Sequence, residues 1–440
     1  MEFISTNGKS KPVSFAKAAL KGLAPDGGLF VPEYWPKLAD PFLNSLQAKT
    51  LPEIGYEISR LFVDELDSVV LRDIVEDAIN FKVPLVELET GIQVLELFHG
   101  PTLAFKDFGA RFMARIFSAL RKKSDGDLII LAATSGDTGS AVAQGFLGVD
   151  GIQVCLLYPS GKVSRIQEQQ LTTAGRNVTA LEVNGSFDDC QRMVKKAFSD
   201  NVLNKQLLLS SANSINIVRL IPQMFYYLYA VAQLDKAVRP IFCVPSGNFG
   251  NLTAGLMAEK MGMPTSGFIA ATNVNDVVPE YLETGSFKPR ASRQTISNAM
   301  DVGNPSNFAR ILYLFGDDYQ EIKRHIWGAS FSDSDTREAV EQVYKNFDYL
   351  MDPHTAIGYR AVRKYQQVAR GYFGENPSAP FIILSTAHPA KFEDVIEAVI
   401  NEKVAIPQRL KECLVKEKQS VPIQNDYKQL KNWLLRKYRA

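Results

Sequence analysis

The order of hydrophobic and polar positions predicts an α/β protein. After about residue 85, apolar runs of strand length alternate with short loops of small polar residues and with amphipathic helices. We predict strands at residues 92–98, 128–132, 154–157, 241–244 and 381–384, most of them followed by a helix. This alternation is typical of mainly parallel sheets flanked by helices. Ligands are therefore expected in the loops at the carboxyl ends of the strands.

The N-terminal part of the chain has a different pattern. From Tyr56 to Ile79 the apolar residues recur at helical spacing, and Asp26-Gly27-Gly28 is a turn signal between apolar runs. We expect a mostly helical N-terminal segment at residues 1–85. Residues 86–240 and 241–440 are then expected to form two lobes.

Composition excludes several classes of function. The net charge of the 440 residues is +1, which gives no reason to expect a nucleic-acid partner. No apolar run is long enough to cross a bilayer, and the N-terminus lacks the pattern of a secretory signal. The four cysteines form no Cys-x-x-Cys pair, and the four histidines lack metal-ligand spacing. We expect a cytoplasmic protein with reduced thiols and no catalytic metal.

Lys106 is the first candidate for chemistry. It begins the helix predicted at residues 106–120 and stands between Phe105 and Phe108. The helix macrodipole and the apolar neighbours both disfavour a charged amine at this position. A neutral amine is what a Schiff-base lysine requires. From this segment alone, an ordinary lysine whose amine reaches solvent remains an open alternative.

Two strands end in loops that suit an anion. Residues 134–139 read Thr-Ser-Gly-Asp-Thr-Gly, and residues 246–251 read Ser-Gly-Asn-Phe-Gly-Asn. In both loops, backbone N–H groups and small side chains meet at the start of a helix. The second loop has neither the dinucleotide fingerprint nor the Walker lysine, so the phosphate of a smaller cofactor fits it better. Helix capping and a plain glycine turn are the structural alternatives.

Three further groups are weaker candidates. Thr386 follows a strand, where its hydroxyl would suit a heterocyclic ring nitrogen or a helix cap. Asn213, Ser214 and Arg219 bring an amide, a hydroxyl and a guanidinium together, which suits an oxyanion or a structural polar turn. Lys162 either serves the same anion or faces water.

Together these segments resemble the threonine synthase family, within the fold type II group of pyridoxal-phosphate enzymes. Residues 98–108 resemble its cofactor-lysine signature, 133–139 its substrate-carboxylate loop and 245–251 its cofactor-phosphate loop. Residues 22–32, 297–302 and 352–355 extend the resemblance over almost the whole chain. It implies a lyase of the bacterial and fungal branch, a monomer, that uses pyridoxal 5'-phosphate to convert O-phospho-L-homoserine and water into L-threonine and phosphate.

The resemblance also implies roles for the matching residues. Lys106 would bind the cofactor covalently and act as the catalytic base. The cofactor phosphate would be held by the backbone of Gly247, Asn248, Phe249, Gly250 and Asn251, and the pyridine nitrogen by Thr386. The substrate carboxylate would be held by Ser135, Thr138 and their neighbour Thr134, and the substrate phosphate by Asn213, Ser214, Arg219 and Lys162. Asp137 would repel a carboxylate, so we expect it to be paired or to face the substrate amine.

Two alternatives to this function remain. Another enzyme of the same group, such as a dehydratase or a lyase that releases 2-oxobutyrate from the same substrate, would share these residues. A non-catalytic protein that binds a phosphate ligand would keep the glycine loops but would not need a lysine at position 106.

Overall fold

A computed structural model of the chain describes residues 1–121 and 126–438. Its strands are β1 (Glu2–Ser5), β2 (Val13–Ser14), β3 (Phe30–Pro32), β4 (Leu85–Glu89), β5 (Ile92–Glu96), β6 (Leu128–Ala133), β7 (Ile152–Pro159), β8 (Val178–Asn184), β9 (Leu208–Ser210), β10 (Ile241–Pro245), β11 (Gly267–Thr272), β12 (Ile326–Ser330), β13 (Phe381–Ser385) and β14 (Ser420–Gln424).

The helices occupy most of the segments between these strands. They are α1 (Phe15–Lys21), α2 (Asp40–Asn44), α3 (Leu51–Ser59), α4 (Ser68–Ala78), α5 (Lys106–Leu120), α6 (Asp137–Gly145), α7 (Arg165–Thr172), α8 (Phe187–Ser199), α9 (Asn201–Asn204), α10 (Gln223–Ala232), α11 (Gly250–Lys260), α12 (Val277–Thr284), α13 (Phe308–Leu314), α14 (Tyr319–His325), α15 (Asp333–Phe347), α16 (Pro353–Val368), α17 (Glu393–Ile400), α18 (Gln408–Leu414) and α19 (Tyr427–Tyr438).

The predicted α/β class is confirmed by two large sheets. One has the strand order β12-β11-β10-β13-β5-β4 and is parallel except for β4, which runs antiparallel to β5 at the edge. The other has the order β14-β8-β7-β6-β9 and is parallel throughout. The predicted boundary at residue 240 does not separate these sheets, because β5 joins the first sheet and β14 joins the second. The three-part division of the chain stays a prediction.

Helices cover both faces of the large sheets, which explains the apolar runs in the sequence. Every residue of β6 is buried. Ile130 belongs to the central core, and Ile129 and Leu131 belong to a second core shared with α8 and α19. A strand buried on both faces shows no alternation of polar and apolar residues, so it reads as a continuous hydrophobic run.

The N-terminal segment contains helices α1 to α4 and a small sheet. The helical pattern of residues 56–79 becomes two helices, α3 and α4, and the side chain of Asp67 caps the second by accepting a hydrogen bond from the Val69 N–H. Strands β2, β1 and β3 form an antiparallel sheet that the sequence pattern did not predict. These strands are too short to show a periodicity.

Within residues 1–121 and 126–438, no helix is long and apolar enough to cross a membrane.

Candidate active site

Lys106 is the first residue of α5, as predicted. The Phe105 N–H donates to the Thr386 carbonyl at 2.9 Å, and Leu103 has a left-handed backbone with φ of 58°. These features fix the start of the helix against the end of β13. The Lys106 side chain is 16% exposed, and its Nζ lies 5.0 Å from the centre of the Phe105 ring. Burial lowers the pKa of the amine.

The segment before Lys106 is held by a buried acid. Asp107 accepts hydrogen bonds from the Thr102 N–H at 2.8 Å and from Thr102 Oγ1 at 2.7 Å. A Cβ on Gly100 would lie 2.5 Å from Asp107 Oδ2, so only glycine fits there. Asp107 therefore anchors the turn that presents Lys106, and does not itself line the cavity described below.

The loop after β6 is closed by Thr134. Its Oγ1 accepts hydrogen bonds from the N–H groups of Gly136 at 3.0 Å and Gly139 at 2.7 Å. Gly136 has a φ of 133°, and a Cβ there would lie 2.5 Å from the Gln167 side chain. The hydroxyl of Thr134 is thus occupied by its own loop, and the neighbouring Ser135 and Thr138 line the cavity.

Asp137 begins α6, and its carboxylate is paired. Oδ1 lies 2.6 Å from Lys391 Nζ and accepts a hydrogen bond from Gln167 Nε2 at 3.0 Å, while Oδ2 lies 3.8 Å from Lys106 Nζ. Burial opposes ionisation of this acid. The charge of Lys391, together with the hydrogen bonds from Lys391 and Gln167, outweighs burial and holds the pKa of Asp137 well below its usual range.

The loop after β10 fits the phosphate of a cofactor. Phe249 is left-handed, with φ of 59°, and α11 begins at Gly250. Within the described residues, the backbone N–H groups of Gly247 and Asn248 have no hydrogen-bond acceptor. A Cβ on Gly247 would lie 2.7 Å from the Ala299 carbonyl oxygen, so a larger residue would displace the turn. Free N–H groups at a helix start are a ready anion site.

Asn251 supplies an oriented donor at the same loop. Its Oδ1 accepts hydrogen bonds from the hydroxyls of Tyr226 at 2.6 Å and Tyr227 at 2.9 Å. Its Nδ2 is buried and has no partner among the described residues, although Asn251 lines the cavity. A buried donor without an acceptor is costly unless a ligand supplies one. This orphaned amide therefore fits an anionic group.

A further group of candidate site residues consists of Asn213, Ser214 and Arg219. Ser214 Oγ accepts a hydrogen bond from Asn248 Nδ2 at 2.6 Å, and Asn213 Nδ2 donates to the Ala133 carbonyl at 2.8 Å. Arg219 is 3% exposed, and Nη1 donates to the Ala212 carbonyl. Its Nε has no partner within the described residues. Burial lowers the pKa of Arg219 to about 10.

One cavity brings nearly all the predicted residues together. It is lined by Lys106, Thr134, Ser135, Asp137, Thr138, Asn213, Ser214, Arg219, Gly247, Asn248, Phe249, Gly250, Asn251 and Thr386. Lys162 does not line it. That lysine follows β7, the neighbour of β6 on the side away from β9, and faces an adjacent cavity of about 530 Å³ that shares Ser135 with the first.

The sequence patterns did not predict two residues of the site, Lys391 and His354. Lys391 lies in a 3-10 helix at Pro389–Phe392 and reaches Asp137 from a distant part of the chain. His354 lines the cavity, with Nδ1 2.6 Å from Asp352 Oδ1 and Nε2 accepting from the Ala299 N–H at 3.3 Å. The spacing of Asp352 and His354 resembles a helix cap, which Asp352 also provides. Nothing local marks Lys391.

Comparisons with known proteins agree with this geometry. The family model described as "Pyridoxal-phosphate dependent enzyme" matches residues 82–383. Models described as "Threonine synthase N terminus" and "Threonine synthase, C-terminal" match residues 2–79 and 355–434. Threonine synthase of Haemophilus influenzae is 42% identical over 96% of this chain and 97% of its own length.

Solved structures show the same relationship. The crystal structure of threonine synthase from Escherichia coli matches with a TM-score of 0.91 and 39% identity, over 99% of this chain and 100% of that one. PLP-bound threonine synthase from Brucella melitensis matches with a TM-score of 0.91 and 33% identity, over 100% of both chains. The fold and the site are those of a fold type II enzyme that depends on pyridoxal 5'-phosphate. Within that class, the chain belongs to the threonine synthase family.

Proposed function

We propose that the chain converts O-phospho-L-homoserine and water into L-threonine and phosphate. The observation that carries this proposal is the placement of Lys106 in one cavity with two groups of anion-binding residues. The loop at residues 246–251 suits one phosphate, and the wall formed by Asn213, Ser214 and Arg219 suits a second. A phosphorylated cofactor together with a phosphorylated substrate requires two such regions.

The residues present fit the cofactor. Lys106 would hold it covalently, the backbone of residues 247–251 would hold its phosphate, and Thr386 would face its ring nitrogen. When bound, pyridoxal 5'-phosphate supplies an electron sink that acidifies the substrate carbons near the amine. A hydroxyl at the ring nitrogen, rather than a carboxylate, leaves that nitrogen less protonated.

The protein supplies proton transfer and charge placement. The free amine of Lys106 is the base that removes the proton from the substrate Cα, and its lowered pKa favours the neutral form that this step needs. Ser135 and Thr138 hold the substrate carboxylate. Asp137 is already neutralised by Lys391, so it does not repel that carboxylate as a free acid would.

Asn213, Ser214 and Arg219, which we call the phosphate wall, act on the leaving group. Arg219, Ser214 and Asn213 hold the substrate phosphate as it leaves Cγ. They accelerate the reaction only as far as they stabilise the separating charge more than the bound substrate. Loss of a proton from Cβ supplies the electron pair that expels phosphate from Cγ. Protonation of Cγ, addition of water at Cβ and protonation of Cα then complete threonine. Closure of the lobes would keep other water from the reacting atoms. We also propose that the enzyme acts as a cytoplasmic monomer without a nucleic-acid partner. We assign no contact with the substrate phosphate to Lys162, because it lines the adjacent cavity.

The decisive experiment identifies the organic product formed from O-phospho-L-homoserine. Threonine and phosphate in equal amounts are expected, and borohydride treatment of the purified enzyme should fix the cofactor on Lys106. Formation of 2-oxobutyrate would instead identify a lyase of the same group. Binding of the substrate without any product would identify a non-catalytic protein.

A further inference from the structure

A fully buried lysine lies behind the active site. We propose that Lys391 is a positioning residue that acts on the nitrogen of Lys106 through Asp137. Lys391 would hold one oxygen of the Asp137 carboxylate, so that the other oxygen faces Lys106 without acting as its full counter-ion. This inference rests on the proposed role of Lys106 and adds a residue to which the sequence patterns assigned no role.

Lys391 is fixed at both ends. Its side chain is 0% exposed, and Nζ donates to the Thr102 carbonyl at 3.0 Å while lying 2.6 Å from Asp137 Oδ1. Its backbone carbonyl accepts a hydrogen bond from Ser164 Oγ at 3.1 Å. Thr102 is the residue that Asp107 anchors in the turn before Lys106. Lys391 thus joins the loop of the cofactor lysine to the loop after β6.

The two oxygens of Asp137 have different partners. Oδ1 accepts from Gln167 Nε2 at 3.0 Å and pairs with Lys391, so its hydrogen-bonding capacity is used. Oδ2 faces Lys106 Nζ at 3.8 Å, which is beyond hydrogen-bond distance but within the range of an ion pair. Asp137 is therefore a carboxylate beside the reactive amine, and the charge of Lys391 on its other oxygen already offsets its own charge.

The charges explain why this matters for Lys106. The charged groups that most affect the pKa of its amine are Asp137, Lys391, Arg219 and Asp352. Burial lowers the pKa of the amine, Asp137 raises it, and the positive charges of Lys391 and Arg219 lower it. Without Lys391, Asp137 would be a buried carboxylate with Lys106 as its nearest cation. A buried charge without a partner is costly, so protonation of the Lys106 nitrogen would be favoured.

The test uses the purified enzyme with its cofactor and compares Lys391→Met with the unaltered protein. Three properties are measured: the midpoint of the pH titration of the cofactor's visible absorbance, the pH profile of kcat/KM, and the midpoint of thermal unfolding. We expect the absorbance midpoint and the acid limb of kcat/KM to move upward by about 1 to 2 pH units, because the uncompensated carboxylate favours the proton on the Lys106 nitrogen.

Two further variants separate this role from others. Lys403→Met is the matched control, since Lys403 is 91% exposed and pairs with Glu397 at the surface; it should leave the titration unchanged. In the double variant Lys391→Met, Asp137→Asn, the upward shift should disappear, because the acid through which Lys391 acts is gone. The two single changes are therefore expected to be non-additive.

The outcomes are decisive in both directions. An absorbance midpoint that stays in place or falls in Lys391→Met, with only a lower unfolding temperature, would show that Lys391 supports the fold alone. The same conclusion would follow if the double variant kept the full upward shift. If Lys391→Met does not fold, Lys391→Gln takes its place under the same criteria, because its amide can still donate a hydrogen bond. The absorbance titration needs no substrate, so its result does not depend on which product the enzyme forms.

Discussion

The amine of Lys106 and the carboxylate of Asp137 lie 3.8 Å apart, and each residue begins a helix. The N-terminus of a helix favours a negative charge and disfavours a positive one. The two positions thus share one electrostatic bias, which supports an ionised Asp137 beside a neutral Lys106. Burial acts in the same direction on the amine, and the ion pair with Lys391 offsets the cost of burying the acid.

Replacing Lys106 by alanine should abolish both turnover and the visible absorbance of the lysine-bound cofactor. The amine is the covalent attachment point and the proposed base. Lys391, which shares Asp137 with it, is held by that acid and by the Thr102 carbonyl, so we do not expect it to take over. Absorbance spectra and a threonine assay on the purified variant check this. Lys403→Ala, an exposed lysine elsewhere, should keep both properties. If Lys106→Ala kept both turnover and the visible absorbance, the cofactor would have to be bound to a different lysine.

Arg219→Ala should weaken binding of O-phospho-L-homoserine more than binding of unphosphorylated analogues. The guanidinium is buried, and Arg219 lines the cavity at the wall proposed for the substrate phosphate, so we expect it to contact that phosphate. Loss of a charged hydrogen bond predicts about a tenfold or larger difference between the two classes of ligand. KM values and inhibition constants measure it. Equal losses for both classes would remove Arg219 from the phosphate wall.

Two glycines of the loop at residues 246–251 should differ in their response to alanine. A Cβ on Gly247 would lie 2.7 Å from both the Ala299 carbonyl oxygen and Met300 Cα, and these backbone atoms cannot rotate away. A Cβ on Gly250 would lie 3.3 Å from Ser214 Cβ, which needs only a small shift. We expect Gly247→Ala to lower cofactor affinity by about tenfold or more and Gly250→Ala by less, from a strain of roughly 1–3 kcal/mol. Titration of the enzyme with the cofactor gives both values, and a reversed order would contradict the proposed contacts.

Arg310→Leu should destabilise the protein and disturb the phosphate wall. Arg310 is 0% exposed, and it donates to the carbonyls of Phe30, Ser214 and Ile215 and to Asn307 Oδ1. It therefore ties strand β3 of the N-terminal segment to the loop that carries Ser214. Leucine would leave several buried acceptors without donors, at a cost of about 3 kcal/mol or more in the free energy of unfolding.

Denaturant unfolding measures this effect, and a surface arginine provides its control. Arg324 is 74% exposed and pairs with Glu321 on the same helix. Arg324→Leu should change the free energy of unfolding by no more than about 0.5 kcal/mol. Similar changes in the two variants would show that the buried hydrogen bonds of Arg310 contribute little.

The sequence by itself determined the α/β class, the start of the helix at Lys106 and the loops at the ends of β6, β10 and β13. These features depend on local periodicity and on turn chemistry, which neighbouring residues fix. The sequence pattern gave no sign of the sheet formed by β1, β2 and β3, because strands of two to four residues are too short for a periodic signal.

Which charged residues lie close together was determined only by the tertiary structure. Lys391 pairs with Asp137 across a long stretch of chain, and Lys162 lines the adjacent cavity although we expected it to contact the substrate phosphate. Residues that follow β6, β10 and β13 line one cavity, although β6 belongs to a different sheet from β10 and β13, whereas Lys162 after β7 lines the adjacent cavity. Electrostatic pairing depends on distance in space, and the spacing of residues along a chain does not fix that distance.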